Sequence, residues 1–288
     1  MKILICTIIR NAELTIPRWW KKLTQITKIY PQIEFSLSVY ENDSTDNSKN
    51  MLNELVKNNC RNYFSETFFG MEDIQTTFYQ SVAHSDRVVN LANARNHCFE
   101  QVTDLSNYDY AMSVEVDSDF VVTGLKPLFD NVKNWDILSG CSYVSEEMND
   151  SSEQALEYSP FYDHWATRLT ENEDMWNCVI NPNQPLFKSP LSDLHPKELC
   201  SQIDDIVEVY STFNLVCLYR MKPIIEGHRF AGYSERLKSF DCDTTVICEQ
   251  FHKGGYSRIG MMPYVEIYND TFLLRQPLQS DPNCCGGK

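Results

Sequence analysis

Residues 110–121 read Tyr-Ala-Met-Ser-Val-Glu-Val-Asp-Ser-Asp-Phe-Val. Met112, Val114 and Val116 alternate with smaller or polar partners, the period of two that a pleated strand requires. The run then reaches Asp117, Ser118 and Asp119, followed by the apolar pair Phe120 and Val121. Two carboxylates one residue apart at the end of a buried strand are costly to leave unpaired. A divalent cation bridging them to a pyrophosphate removes that cost, and Mg²⁺ and Mn²⁺ both favour carboxylate and phosphate oxygens. The alternative is a pair of ordinary loop carboxylates. A second pair with the same spacing, Asp241-Cys242-Asp243, shows that spacing needs its context before it means anything.

The context lies upstream. Residues 2–9 (KILICTII) read as a buried first strand, and 12–29 as a helix with Trp19, Trp20, Leu23 and Ile26 on one side. Residues 33–40 alternate as a second strand and end in Glu41-Asn42-Asp43-Ser44-Thr45-Asp46, which is turn and N-cap chemistry. A helix follows through Met51, Leu52 and Leu55. Residues 61–65 are the expected third strand and 66–87 a loop-like aromatic stretch. Residues 87–102 carry Leu91, Ala94, Cys98 and Val102 on one helical face. Strand and helix therefore alternate up to Asp117, which predicts an α/β fold with a mainly parallel sheet flanked by helices. In such sheets ligands bind beyond the carboxyl ends of the strands. Residues 7–10, 41–46 and 117–119 all fall there.

The second half is more mixed. Strands are expected over 135–143, 213–220 and 264–268, and a helix over 244–252 that stops at Gly254-Gly255. Residues 146–159 are acidic and serine-rich and read as a loop, and the stretch after Pro277 reads as a disordered tail. Pro182, Pro185, Pro190 and Pro196 argue against long helices over 169–210. The expectation is one continuous domain, with a nucleotide-binding half over 1–121, an acceptor half over 122–276 and a tail over 277–288.

Bulk properties narrow the function. With 288 residues, 42% of them hydrophobic, the chain can bury a sizeable core. A net charge of −15 argues against nucleic acid as a partner. The 11 cysteines lack zinc spacing, and Cys6, Cys98, Cys141, Cys217 and Cys248 sit in apolar runs as free buried thiols do. That usage predicts a reducing compartment. No run is long enough for a transmembrane segment, so the chain is expected to be cytoplasmic, with peripheral membrane contact left open.

On these residues the chain resembles a GT-A glycosyltransferase, and within that fold the fungal capsule α-1,3-mannosyltransferase family and related viral and bacterial sugar transferases. The matching islands are Tyr40-Glu41-Asn42-Asp43-Ser44 with Asp46, Leu91-Ala92-Asn93-Ala94-Arg95-Asn96, Asp117-Ser118-Asp119-Phe120, and Trp135-Asp136 leading to Cys141-Ser142-Tyr143. Phe161-Tyr162-Asp163 with Trp165-Ala166-Thr167-Arg168, and 246–267 around Cys248-Glu249 and Gly255-Tyr256, continue the series. The resemblance implies a metal-dependent enzyme (Mn²⁺ or Mg²⁺) that moves a hexose from a GDP- or UDP-sugar donor to a glycan acceptor.

It also implies roles. Thr7, Arg10, Glu41, Arg95, Asp117 and Ser118 would hold the nucleotide sugar, with Arg95 facing the pyrophosphate or base. Asp119, with Asp117, would hold the metal, and His252 or His228 would supply a third protein ligand. Glu249, or its rival Asp243, would be the catalytic base if the enzyme inverts; a retaining enzyme needs none. Asp163, Trp165 and Arg168 would line the acceptor side. Two other classes compete. A sugar-activating nucleotidyltransferase should carry a glycine-rich phosphate loop after the first strand, where this chain has Arg10-Asn11-Ala12-Glu13. A non-catalytic glycan-binding domain of the same fold should bind no nucleotide diphosphate.

Overall fold

The structure is a computed structural model. It describes residues 1–57, 60–79, 84–144, 161–173, 191 and 194–269. The expectations for 146–159, for Pro182, Pro185 and Pro190, and for the tail after Pro277 lie outside the described residues.

Strand β1 (Lys2–Ile9) leads into helix α1 (Ile16–Ile29), then β2 (Glu34–Asn42), α2 (Ser48–Lys57), β3 (Thr67–Glu72), α3 (Ser85–Glu100) and β4 (Tyr110–Val114). After these come β5 (Ser118–Phe120), α4 (Lys126–Asn131), β6 (Ile137–Val144), β7 (Val207–Glu208), β8 (Val216–Arg220) and α5 (Met221–Ile225). A small hairpin, β9 (Tyr233–Ser234) and β10 (Ser239–Phe240), precedes α6 (Asp243–Lys253) and β11 (Ile259–Asn269).

The main sheet runs β3-β2-β1-β4-β8-β6-β11-β5, with β7 beside β11. The first four strands are parallel. Strand β8 is antiparallel to both β4 and β6, and β11 is parallel to β6 but antiparallel to β5. Only four Cα steps separate Val114 at the end of β4 from Ser118 at the start of β5, a reach of at most ~14 Å. Four strand spacings in a flat sheet would be ~19 Å. The sheet must therefore curl toward closure, and the connection 115–117 crosses the gap.

The core follows the sequence pattern. Ile3, Leu4 and Ile5 of β1 and Leu37 and Val39 of β2 are fully buried. Helix α1 presents Ile16, Trp19, Leu23 and Ile26 to them, and α3 presents Ala92, Cys98 and Phe99, while Val88 packs apart against Trp165. Cys6, Cys98, Cys141, Cys217 and Cys248 are buried free thiols. No helix among the described residues is long and apolar enough to cross a membrane.

Two expectations move. The third strand is Thr67–Glu72 rather than 61–65, and Cys60–Asn62 is a single 3₁₀ turn. The strand pairs Phe68 and Phe69 with Ser38 and Val39, and Gly70 with Tyr40. A Cβ on Gly70 would lie 2.9 Å from the Tyr40 ring and 2.8 Å from Gln101 Oε1, so only glycine lets the strand close here. The fourth strand stops at Val114, three residues short of Asp117. The amide and hydroxyl of Ser118 both donate to the Glu115 carbonyl, at 3.2 and 2.6 Å, and turn the chain away.

Candidate active site

The carboxyl ends of β1, β2 and β4 open onto a cleft of about 470 Å³. Residues 8–15 form one wall, Asn42 and Asp46 a second, and Thr76–Tyr79 a lip. Arg87, Asn90, Leu91 and Ala94 line it from α3, at the spacing that gives a helix one face. Glu115, Val116 and Asp117 close the floor. Glu115 and Asp117 thus line a cleft that Arg10 and Arg87 also line.

Behind the floor sits Arg95, only 7% exposed. Its Nη1 donates to Glu115 Oε1 at 2.7 Å and its Nε to Asp243 Oδ2 at 2.8 Å. The guanidinium lies 4.5 Å from the Phe213 ring centroid and 5.7 Å from that of Phe230. Burial opposes its charge, but the carboxylates of Glu115 and Asp243 outweigh burial and hold its pKa above the ordinary guanidinium value. Glu115 feels the converse. Burial raises its pKa, Arg95 pulls it back, and Asp117 pushes it up again. Glu115 was expected to be a polar partner within the strand. The signal was present, since Glu115-Val116-Asp117 has the same one-residue spacing as Asp117-Ser118-Asp119.

The structure separates Asp117 from Asp119. Asp117 lines the cleft and its Oδ2 lies 3.4 Å from Asn269 Nδ2. Asp119 sits within β5 and accepts from Lys22 Nζ of α1 at 2.6 Å and from the Phe120 amide at 2.8 Å. Of the acidic residues that follow β4, Glu115 and Asp117 are therefore the two that line the cleft. Ser118 is 1% exposed and spends its hydroxyl on the Glu115 carbonyl.

The other nucleotide-side expectations divide similarly. Arg10 lines the cleft. Thr7 is 1% exposed; its hydroxyl donates to the Val114 carbonyl at 2.8 Å and accepts from Trp19 Nε1 at 3.2 Å, tying α1 to the sheet. Glu41 is fully buried and caps the turn after β2 by accepting from the Ser44 amide at 2.8 Å. Its neighbours Asn42 and Asp46 are the ones that reach the cleft wall.

Asp243 opens α6 against Arg95, and Glu249 lies six residues on, ~9 Å along the axis. Glu249 is 4% exposed and accepts from Ser234 Oγ at 2.8 Å and Arg236 Nε at 3.0 Å. His252 lies ~13 Å along the helix from Asp243. It stacks on Tyr210 at 4.4 Å and bonds the Tyr210 carbonyl at 2.9 Å. His228 packs edge-on to Tyr256 at the same far end of α6. Neither histidine joins the floor carboxylates, and no cluster of three metal-ligating side chains occurs among the described residues.

On the expected acceptor side, Arg168 is fully buried and grips both oxygens of Asp241, at 2.8 and 2.7 Å. Trp165 Nε1 donates to the same Asp241 at 3.2 Å. These two brace the core rather than present a surface. Asp163 is half-buried and its Oδ2 accepts the Asn214 amide at 2.7 Å. Burial pushes its carboxyl up to about 6, against the pull of the Asn214 and Ala166 amides.

Comparison with known proteins agrees with this architecture. No curated protein sequence matches the chain. Among solved structures, the mannosyltransferase PcManGT of Pyrobaculum calidifontis, in complex with GDP-Man and Mn²⁺, superposes with a TM-score of 0.50 at 9% identity, over 93% of this chain and 56% of that one. The 1–349 portion of S. aureus TarS gives 0.48 at 14% identity, over 94% and 61%. The inositol-1-phosphate CTP transferase of T. maritima gives 0.45 at 11%, over 93% and 88%. The chain spans less than two thirds of the length of either of the first two. The fold is GT-A, a mainly parallel curled sheet between helices. The sequence profile described as cryptococcal mannosyltransferase 1 matches residues 2–250, and the chain belongs to that family.

Proposed function

We propose that the chain is a metal-dependent glycosyltransferase that moves a hexose from a nucleoside diphosphate sugar to a glycan hydroxyl, with GDP-mannose the first donor to test. The observation that carries this reading is the cleft itself. Glu115 and Asp117 leave the end of β4 into a space that also presents Arg10 and Arg87. Membership of a mannosyltransferase family and the GT-A fold support the reaction class.

The donor set fits Mn²⁺ or Mg²⁺. Two carboxylates are a common protein share for such an ion, with water and diphosphate oxygens completing the shell. When bound, the ion would act as a Lewis acid toward the departing diphosphate. Asp117 is the assigned ligand, with Glu115 beside it. Arg10, and beside it Arg87, would meet the phosphate oxygens, for which a planar guanidinium is suited. Arg95, which the resemblance places at the pyrophosphate or base, would act from behind the floor, where it holds the Glu115 carboxylate. Asn42 and Asp46 line the wall beside which the ribose or base would lie. Glu249 and Asp243 are both held by arginines outside the cleft lining, an arrangement that supports a retaining reaction without a general base.

Calorimetric titration with GDP and UDP, with and without Mn²⁺, tests the reading. Metal-dependent binding of either nucleotide is expected. Silence from both would favour a glycan-binding module that kept the fold.

A further inference from the structure

We propose that Thr76 is a positioning residue for the donor: with Asp43 behind it, Thr76 fixes the Arg10 guanidinium at the mouth of the cleft. The inference rests on the nucleotide-sugar reading above and deepens it.

The segment after β3 turns back on the end of β2. Asp43 at φ 58° and Gln75 at φ 59° both adopt the left-handed conformation, which a non-glycine residue keeps only where its surroundings enforce it. The enforcing contacts run between them. The Asp43 carboxylate accepts the Gln75 amide at 2.8 Å, the Thr76 amide at 2.9 Å and the Thr76 hydroxyl. The pKa of Asp43 lies below the usual carboxylate range because these bonds outweigh its desolvation. Thr76 is thus half-buried in a stretch whose neighbours are exposed.

Thr76 passes this order to Arg10. Its hydroxyl oxygen accepts Arg10 Nη1 at 3.0 Å and Asn42 Nδ2 at 3.1 Å, and its carbonyl accepts Arg10 Nη2 at 2.9 Å. One residue therefore holds both ends of the guanidinium fork. Phe78 supports the plane, 5.6 Å from its centre. Arg10 Nε is buried and meets no hydrogen-bond partner among the described residues. An arginine held in this way loses less rotamer freedom when an anion arrives than a free one does.

The experiment is calorimetric titration of GDP and UDP in the presence of Mn²⁺. It compares wild type with Thr76→Val, Thr76→Ser, Arg10→Ala and the double variant Arg10→Ala/Thr76→Val. Valine keeps the shape and loses the hydroxyl. The two amide bonds to Asp43 and the carbonyl bond to Arg10 survive, so the segment stays docked. Thr76→Val should weaken nucleotide binding roughly five- to tenfold, the size of one typical net hydrogen bond. Thr76→Ser should restore wild-type binding, and Thr76→Val should have no further effect once Arg10 is alanine. A wild type that binds nucleotide while Thr76→Val binds equally well overturns this inference alone. So does an equal loss from Thr76→Val in the Arg10→Ala background. A wild type that binds neither nucleotide overturns the donor reading and this inference with it.

Discussion

Arg95 Nη1 lies 2.7 Å from Glu115 Oε1, so a buried cation from α3 stands directly behind a carboxylate on the cleft floor. Asp243 holds the same guanidinium from the other side at 2.8 Å. The last parallel strand before the crossover, the helix preceding it and the helix opening at residue 243 are thereby joined through one side chain.

Arg95→Met should therefore cost the fold heavily, about 3–5 kcal/mol, because two carboxylates would remain buried without a counter-charge. Urea denaturation measures this directly. Arg95→Lys should recover only part of the loss, since an ammonium lacks the fork that reaches both partners. If Arg95→Met kept wild-type stability and lost only nucleotide binding, Arg95 would instead act directly on the pyrophosphate or base.

Asp117→Asn and Asp119→Asn should part company. The first removes a charge from the cleft and should abolish Mn²⁺-dependent nucleotide binding with little change in Tm. The second breaks a partly exposed pair with Lys22, worth about 0–1 kcal/mol, and should leave binding near wild type. Calorimetry on the two variants side by side checks this; equal losses would mean that both carboxylates reach the ion.

The sequence carried the first half of the fold plainly because its signals are local. Alternation over Met112, Val114 and Val116 and the one-sided pattern of α3 need no knowledge of the rest of the chain. The site was legible only in outline. The turn that brings Glu115 into the cleft depends on β5 pairing with β11, where Ser118 meets Asn269, a contact across the length of the chain. The same is true of Glu249, whose partners Ser234 and Arg236 lie on and beside the hairpin before α6, and of His252, which bonds a carbonyl at Tyr210. The third strand was displaced because its residues are half-buried at a sheet edge, where aromatic and polar residues mix as they do in loops.

Glu249→Gln distinguishes a structural carboxylate from a base. Glu249 is nearly fully buried and paired with Arg236 and Ser234. Removing its charge should cost about 1.5–3 kcal/mol, the range for a hydrogen bond to a charged group. Metal-dependent nucleotide binding should be unchanged, and sugar transfer should persist. Loss of transfer at wild-type stability would make Glu249 the base and the reaction inverting.

Asp163 should leave a mark on the pH dependence of stability. Burial raises its carboxyl from the ordinary aspartate value, near 3.8, to about 6 in the folded chain. Below pH ~4 the folded and unfolded chains both hold the proton, and the residue costs nothing. As pH rises from there to about 6, the unfolded chain gives up the proton first, so stability falls through this window. Above it both states are ionised and the penalty is constant, up to about 3 kcal/mol. Asp163→Asn keeps an oxygen for the Asn214 amide and has nothing to titrate. The variant's Tm should therefore gain on wild type by several degrees between pH 4 and 6, with the gap level on either side. Thermal melts of both proteins from pH 3.5 to 8 would show it. A gap that does not change with pH would mean that Asp163 sits in water-like surroundings.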